Sequence, residues 1–220
     1  GVSWRPVFSR SIENCCTSVM RMSAIAFDPT NGRRAFASTS DGLLASSDGG
    51  DTWQNTEVKE QGEIRFDPHN SQRVAVGAAL SMDGGKTFAV LSYRALSFDT
   101  RGRIWGVLDT SIAVSSDNGQ TWTQRTRPTE LAWVGSILAD PDLPNVLYVS
   151  VGALVYRSND DGTTWKAIDS TSPKVFRPCG PDGPLVVLSI GTVKWSTDQG
   201  DTWRASDMEA TAIGFGPGCI

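Results

Sequence analysis

Apolar residues fall along this chain in short runs, many alternating with polar or small residues and each bounded by Gly, Pro, Asp, Asn or Ser. Val74-Ala75-Val76, Ile104 to Leu108, Val146 to Val151 and Leu185 to Leu188 typify them. They are rich in β-branched and aromatic residues, which fit a pleated, half-buried surface. Short bounded runs of this kind read as strands joined by tight turns. The pattern predicts an all-β chain.

Between these runs one octapeptide recurs five times: Ser46 to Trp53, Ser81 to Phe88, Ser115 to Trp122, Ser158 to Trp165 and Ser196 to Trp203. Every copy reads S-x-D-x-G-x-T-[WF], with aspartates Asp48, Asp83, Asp117, Asp160 and Asp198. The aspartates are 35, 34, 43 and 38 residues apart, a period that points to a stacked or circular repeat architecture. Each copy lies between two strand-like runs, the layout of a hairpin turn. Its glycine permits a backbone conformation that a side chain would forbid, and its Asp, Ser and Thr can bond backbone groups inside the turn. The closing aromatic is large enough to anchor the turn on a neighbouring sheet. A feature that recurs once per unit is a folding device, whereas an active site occurs once per chain.

The octapeptide resembles the Asp-box, or bacterial-neuraminidase repeat, of a β-propeller family that includes sialidases, xyloglucan-cleaving glycosidases, sortilin-type receptors and photosystem II assembly factors. The resemblance implies a propeller of about five four-stranded blades, each carrying one Asp-box hairpin turn between its third and fourth strands. In that family the box lies away from the catalytic face, so it carries over a fold and no activity.

A second repeat supports this layout. Ile25-Ala-Phe27-Asp-Pro29, Ile64-Arg-Phe66-Asp-Pro68 and Leu96-Ser-Phe98-Asp share one form, with weaker versions at Ile137 to Pro141 and Val175 to Pro178. Each reads as the first, innermost strand of a blade, ended where proline forbids further pairing. The blades are expected at 24–58, 63–92, 94–125, 134–169 and 174–208, within one domain of residues 1–220. Segment 3–8 resembles a fourth strand and 211–217 another first strand. A five-bladed ring with tucked tails, part of a larger propeller, or strands completed by a partner chain would each account for them. The ring with its tails packed on the edge is the reading adopted.

Twenty basic and 24 acidic residues give a net charge of −4, against the basic face that a nucleic-acid partner needs. The pairs Arg33-Arg34, Arg101 with Arg103, and Arg125 with Arg127 read as solvated loop charges. No apolar run is long enough to predict a membrane span. Cys15, Cys16, Cys179 and Cys219 fit no zinc spacing, and neither a metal nor a cofactor is expected. Four cysteines allow three complete pairings, or four free thiols. Bridges among them would place the chain in an extracytoplasmic compartment or on a virion surface.

Catalytic markers are sparse. The Arg-Ile-Pro segment of sialidases is absent, and the turns between second and third strands, where family enzymes build their sites, are short. The sole histidine, His69, sits in an Asp-Pro-His-Asn turn on the other face. Asp41, Asp109 and Glu130 are the carboxylates that glycosidase chemistry could draw on, and Tyr93 is the tyrosine nearest a blade connection. The longest connection, Gln124 to Trp133, offers Arg127, Glu130 and Trp133 as a binding surface for a protein or a sugar ring. Alternatively Trp133 simply begins the fourth blade's inner strand and is buried. The expected function is a non-catalytic binding or scaffolding propeller with protein partners in a multisubunit assembly or virion. The alternatives are a sialidase-related glycoside hydrolase or glycan-binding module and, more narrowly, a photosystem-assembly-like factor.

Overall fold

The computed structural model describes residues 21–129, 133–169, 174–177, 183–189 and 192–206. They form five four-stranded antiparallel sheets, each made of strands consecutive in sequence. Blade one holds β1 (Met22–Asp28), β2 (Asn31–Thr39), β3 (Gly42–Ser46) and β4 (Gln54–Asn55). Blade two holds β5 (Ile64–Asp67), β6 (Asn70–Val76), β7 (Ala79–Ser81) and β8 (Ala89–Val90). Blade three holds β9 (Arg94–Phe98), β10 (Ile104–Leu108), β11 (Ser111–Ser115) and β12 (Thr123–Arg125). Blade four holds β13 (Val134–Ala139), β14 (Leu147–Val151), β15 (Leu154–Ser158) and β16 (Lys166–Asp169). Blade five holds β17 (Lys174–Phe176), β18 (Leu185–Ser189), β19 (Thr192–Ser196) and β20 (Arg204–Ala205). First strands of successive blades touch, β1 to β5, β5 to β9, β9 to β13 and β13 to β17, and the blades are arranged as a β-propeller. Segments 3–8 and 211–217 and all four cysteines lie outside the described residues.

Each octapeptide closes on itself in the same way. In blade three the Ser115 hydroxyl donates to Asp117 Oδ1 at 2.8 Å and accepts from the Gly119 amide at 2.8 Å. The Thr121 amide and hydroxyl then donate to the two carboxylate oxygens of Asp117, at 2.8 and 2.6 Å. The other four turns repeat this set. The glycine is required where the turn approaches the next sheet: Gly85 has φ of +89°, and a β-carbon there would collide with the Phe36 ring.

The core lies between blades rather than inside one. Phe36 and Leu43 of blade one meet Ile64, Val74 and Val76 of blade two, and Trp105, Val107 and Ile112 of blade three meet Val134, Ile137 and Val149 of blade four. Strands buried on both faces need apolar residues without strict alternation, which explains runs such as Ile104 to Val107. The closing aromatics of the last four octapeptides pack on the preceding blade: Phe88, Trp122, Trp165 and Trp203 each join such a cluster. Trp165 and Trp203 also donate their indole N–H to that blade's outer stretch, at the Thr126 and Ile168 carbonyls. Blade one shows its other side to solvent, with Ile25 47% and Phe27 43% exposed.

Arginines bind the blades together, which corrects the reading of Arg34, Arg103 and Arg125 as solvated charges, while Arg33 and Arg101 are exposed. Arg34 donates to Asp28 in its own blade and to the Ser71 and Gly84 carbonyls of blade two. Arg73 pairs with Asp67 at 2.7 Å and donates to the Gly102 carbonyl of blade three. Arg103 holds Asp99 and reaches Asp161 of blade four, where Arg125 also bonds the backbone. The reason is geometric: these arginines lie in the first half of a second strand, just before one, or at the end of an outer one, where their side chains cross the gap to the next blade. Blade four has Val146 in place of the arginine, and its buried Asp140 instead faces Arg177 of blade five, 3.2 Å away. Burial pushes the Asp140 carboxyl above its ordinary range.

Candidate functional site

The connections between blades and the turns between second and third strands share one face of the propeller, opposite the octapeptide turns. Those hairpin turns are two residues long in the first four blades, at 40–41, 77–78, 109–110 and 152–153. They leave little material on that face beyond the connections between blades.

Two of these connections are equally long, 56–63 between β4 and β5 and 126–133 between β12 and β13, and the second carries the sequence candidates. Val134 is 1% exposed and sits in the core between blades three and four. Adjacent side chains in an extended chain point to opposite sides, so anchoring Val134 turns Trp133 outward. Trp133 is 61% exposed, which corrects the alternative reading that it is buried at the start of the inner strand. The Arg94 guanidinium lies over its ring at 5.6 Å from the centroid, a cation–π contact. Arg94 opens β9, the neighbouring first strand, and β9 packs against β13.

Two further bonds tie the turn of blade three into the same place. The Val134 amide donates to the Asp109 carbonyl at 3.3 Å, and Arg127 Nη1 donates to Thr110 Oγ1 at 2.6 Å. Asp109 holds φ of +53° and its side chain is exposed, as is that of Leu108 beside it. The structure thus gathers Trp133, Arg127 and Asp109 of the sequence candidates, together with Arg94 and Thr110. Glu130 lies outside the described residues.

Charge sets this cluster apart. Arg94 and Arg127 are half-buried, yet neither faces a carboxylate within 4.0 Å among the described residues. Every other buried or half-buried arginine does: Arg34, Arg65, Arg73, Arg103, Arg125, Arg157 and Arg177. Removing a guanidinium from water without a paired anion is costly, so these two are the arginines best placed to gain from a ligand anion.

The other candidates are scattered. Asp41 lies in the turn of blade one, with blade two between it and Asp109. Tyr93 is 8% exposed and stacks on Trp122 with ring centroids 4.3 Å apart, inside the core between blades two and three. It packs where a nucleophile would have to be open. The octapeptide aspartates hold both oxygens in bonds from the turn's threonine and serine, and these bonds keep Asp117 and Asp160 down at about 2. The same bonds hold Asp48, Asp83 and Asp198 lower still. Carboxylates so stabilised as anions are poor general acids. His69 is exposed in its turn. Among the described residues no three His, Cys, Asp or Glu side chains gather as a metal site, and no helix is long and apolar enough to cross a membrane.

Arg94 and Thr110 were not among the sequence candidates. The legible signal was that Arg94 and Trp133 stand at the starts of neighbouring first strands, where side chains on adjacent strands meet.

No family model matches the sequence, and no curated protein matches it. Solved structures do. The GH74 xyloglucanase from Xanthomonas campestris superposes with a TM-score of 0.63 at 16% identity, over 80% of this chain and 36% of that one. YCF48 bound to D1 peptide gives 0.55 at 16% identity, over 90% and 71%. An auxiliary nutrient binding protein from Bacteroides thetaiotaomicron gives 0.63 at 11% identity, over 84% and 56%. The likeness shows a β-propeller fold. The chain spans about a third of the length of the GH74 enzymes it matches.

Proposed function

We propose that the chain is a non-catalytic Asp-box β-propeller that serves as a binding or scaffolding subunit in a protein assembly, and that the face around Trp133 is its recognition surface. One observation carries this reading: Trp133 is a large aromatic ring held outward on a rigid strand end, backed by Arg94. Tryptophan and arginine are the residues that most often anchor protein interfaces. The engagement of the octapeptide carboxylates and the burial of Tyr93 support a role without chemistry of its own. That the same fold holds a peptide in YCF48 supports a protein partner. An extracytoplasmic or virion location belongs to the same proposal.

A photo-crosslinking residue at position 108, at the end of β10 on the same face of the propeller as Trp133, tests it in the natural source. Partner crosslinks from position 108, and none from position 51 in the first octapeptide, are the expected result. Crosslinks from position 51 alone would move the recognition surface to the opposite face. A glycan-binding reading is favoured only by the open Trp133 ring, which can also stack on a sugar. Turnover of a glycoside, lost on Asp109→Asn, would replace the proposal with an enzyme.

A further inference from the structure

We infer that the Trp133 site takes an acidic peptide segment, one that presents a carboxylate next to an apolar or aromatic side chain. This rests on the reading of that face as a recognition surface and specifies its partner.

The argument begins with the arginines. In the blade interfaces each guanidinium is matched to an aspartate, because a partly desolvated positive charge needs a nearby anion. Among the described residues Arg94 and Arg127 break that rule, on a face where a ligand could supply the anion. Arg127 spends one N–H on the Thr110 hydroxyl, which fixes its position at the turn and leaves its remaining donors for a ligand. Arg94 is fixed from the other side by the Trp133 ring. A guanidinium presents paired N–H groups that match a carboxylate.

The apolar half of the ligand follows from the ring. Arg94 lies over Trp133, yet the residue remains 61% exposed. An exposed indole next to two guanidiniums with no carboxylate partner among the described residues suits an amphipathic acidic strand or turn. A neutral sugar would ask for several acceptors as well as donors, and the named side chains offer only the Asp109 carboxylate and the second lone pair of the Thr110 hydroxyl against two guanidiniums. Asp109 also sets polarity, since a ligand with its negative charge directly over that residue would be repelled.

The test uses the full chain and a display library of random peptides, panned in parallel on the native protein and on Trp133→Ala. The expected result is enrichment on the native protein alone of sequences with Asp or Glu beside an aromatic or large aliphatic residue. Binding of a selected peptide should weaken roughly tenfold in each of Arg94→Gln and Arg127→Gln, and should weaken further with added salt. Circular dichroism and an unchanged unfolding midpoint establish that the variants are folded. Selected peptides that lack acidic residues but still require Trp133 would overturn the acidic inference and leave the recognition face standing. Hyaluronan or polygalacturonate binding through the same three residues, with no peptide selected, would overturn the peptide in favour of an acidic glycan. Ligands that bind equally well to Trp133→Ala would sink the inference and the recognition face together.

Discussion

Arg103 of blade three donates from both terminal nitrogens to the carboxylate of Asp161 in the octapeptide turn of blade four, at 2.8 and 2.5 Å. The same guanidinium holds Asp99 in its own blade at 2.7 Å. One cation therefore joins the end of a first strand, the start of a second strand and the turn of the next blade. Its partner's carboxyl is held below the ordinary range chiefly by that bond.

Arg103→Gln should destabilise the chain by about 2 kcal/mol, the usual scale for a hydrogen bond to a charged group with both partners mostly buried. Asp161→Asn should cost less, because the amide oxygen still accepts one bond. Urea unfolding of the two single variants and the double variant forms a cycle, and its coupling should exceed about 0.5 kcal/mol. Additive effects would show that the contact across the blades contributes nothing.

Acid should unfold the protein through its octapeptide turns. The native values of these five carboxyls lie below their ordinary 3.8, with Asp117 and Asp160 at about 2. A lowered native value means that the ionised form favours the fold. The contribution is therefore complete above about pH 4 and is lost as pH falls through the native values. Buried Asp140, whose value is raised, acts in the opposite sense. Unfolding midpoints at stepped pH should hold steady near neutrality and drop between about pH 4 and pH 2. Asp117→Asn should flatten that drop, and an identical slope in the variant would refute the assignment.

Two glycines with the same sign of φ should respond very differently. Gly85→Ala drives a methyl into the Phe36 ring and should cost about 3 kcal/mol or more, by strain and overpacking together. Gly152→Ala, at φ of +60° with open space around it, should cost about 1 kcal/mol from backbone strain alone. Thermal midpoints of both variants decide this, and equal losses would show that packing around Phe36 is looser than described.

Stability and recognition should separate at two tryptophans. Trp133→Ala should change stability by less than about 0.5 kcal/mol, as for other surface substitutions. Trp105→Phe should cost about 2 kcal/mol, because it removes a fully buried indole whose N–H donates to Asp99 at 2.9 Å. A large loss from Trp133→Ala, measured by urea unfolding, would make that residue structural.

Much of the fold was legible because it is local. The octapeptide closes through bonds between residues two and four positions apart, so its serine, aspartate, glycine and threonine specify the turn wherever it occurs. The apolar run Ile104 to Leu108 matches β10 residue for residue and Leu185 to Leu188 falls within β18, since β-branched and apolar runs ended by turn residues leave few other choices. Arg34 and Arg103 were misread because their partners, Gly84 and Asp161, are 50 and 58 positions away. No local pattern distinguishes a solvated arginine from one that crosses to the next blade.

The proposed recognition surface divides in the same way. By itself the sequence determined that a long connection ends in Trp133 at the start of a first strand, and that the turns around it are short. Only the tertiary structure decided that anchoring Val134 in the core turns Trp133 outward, and that Arg94, from a strand forty residues earlier, lies over its ring. It also decided which arginines found a carboxylate and which did not. Charge pairing between blades depends on how the sheets stack, and stacking is a property of the whole array rather than of any one repeat.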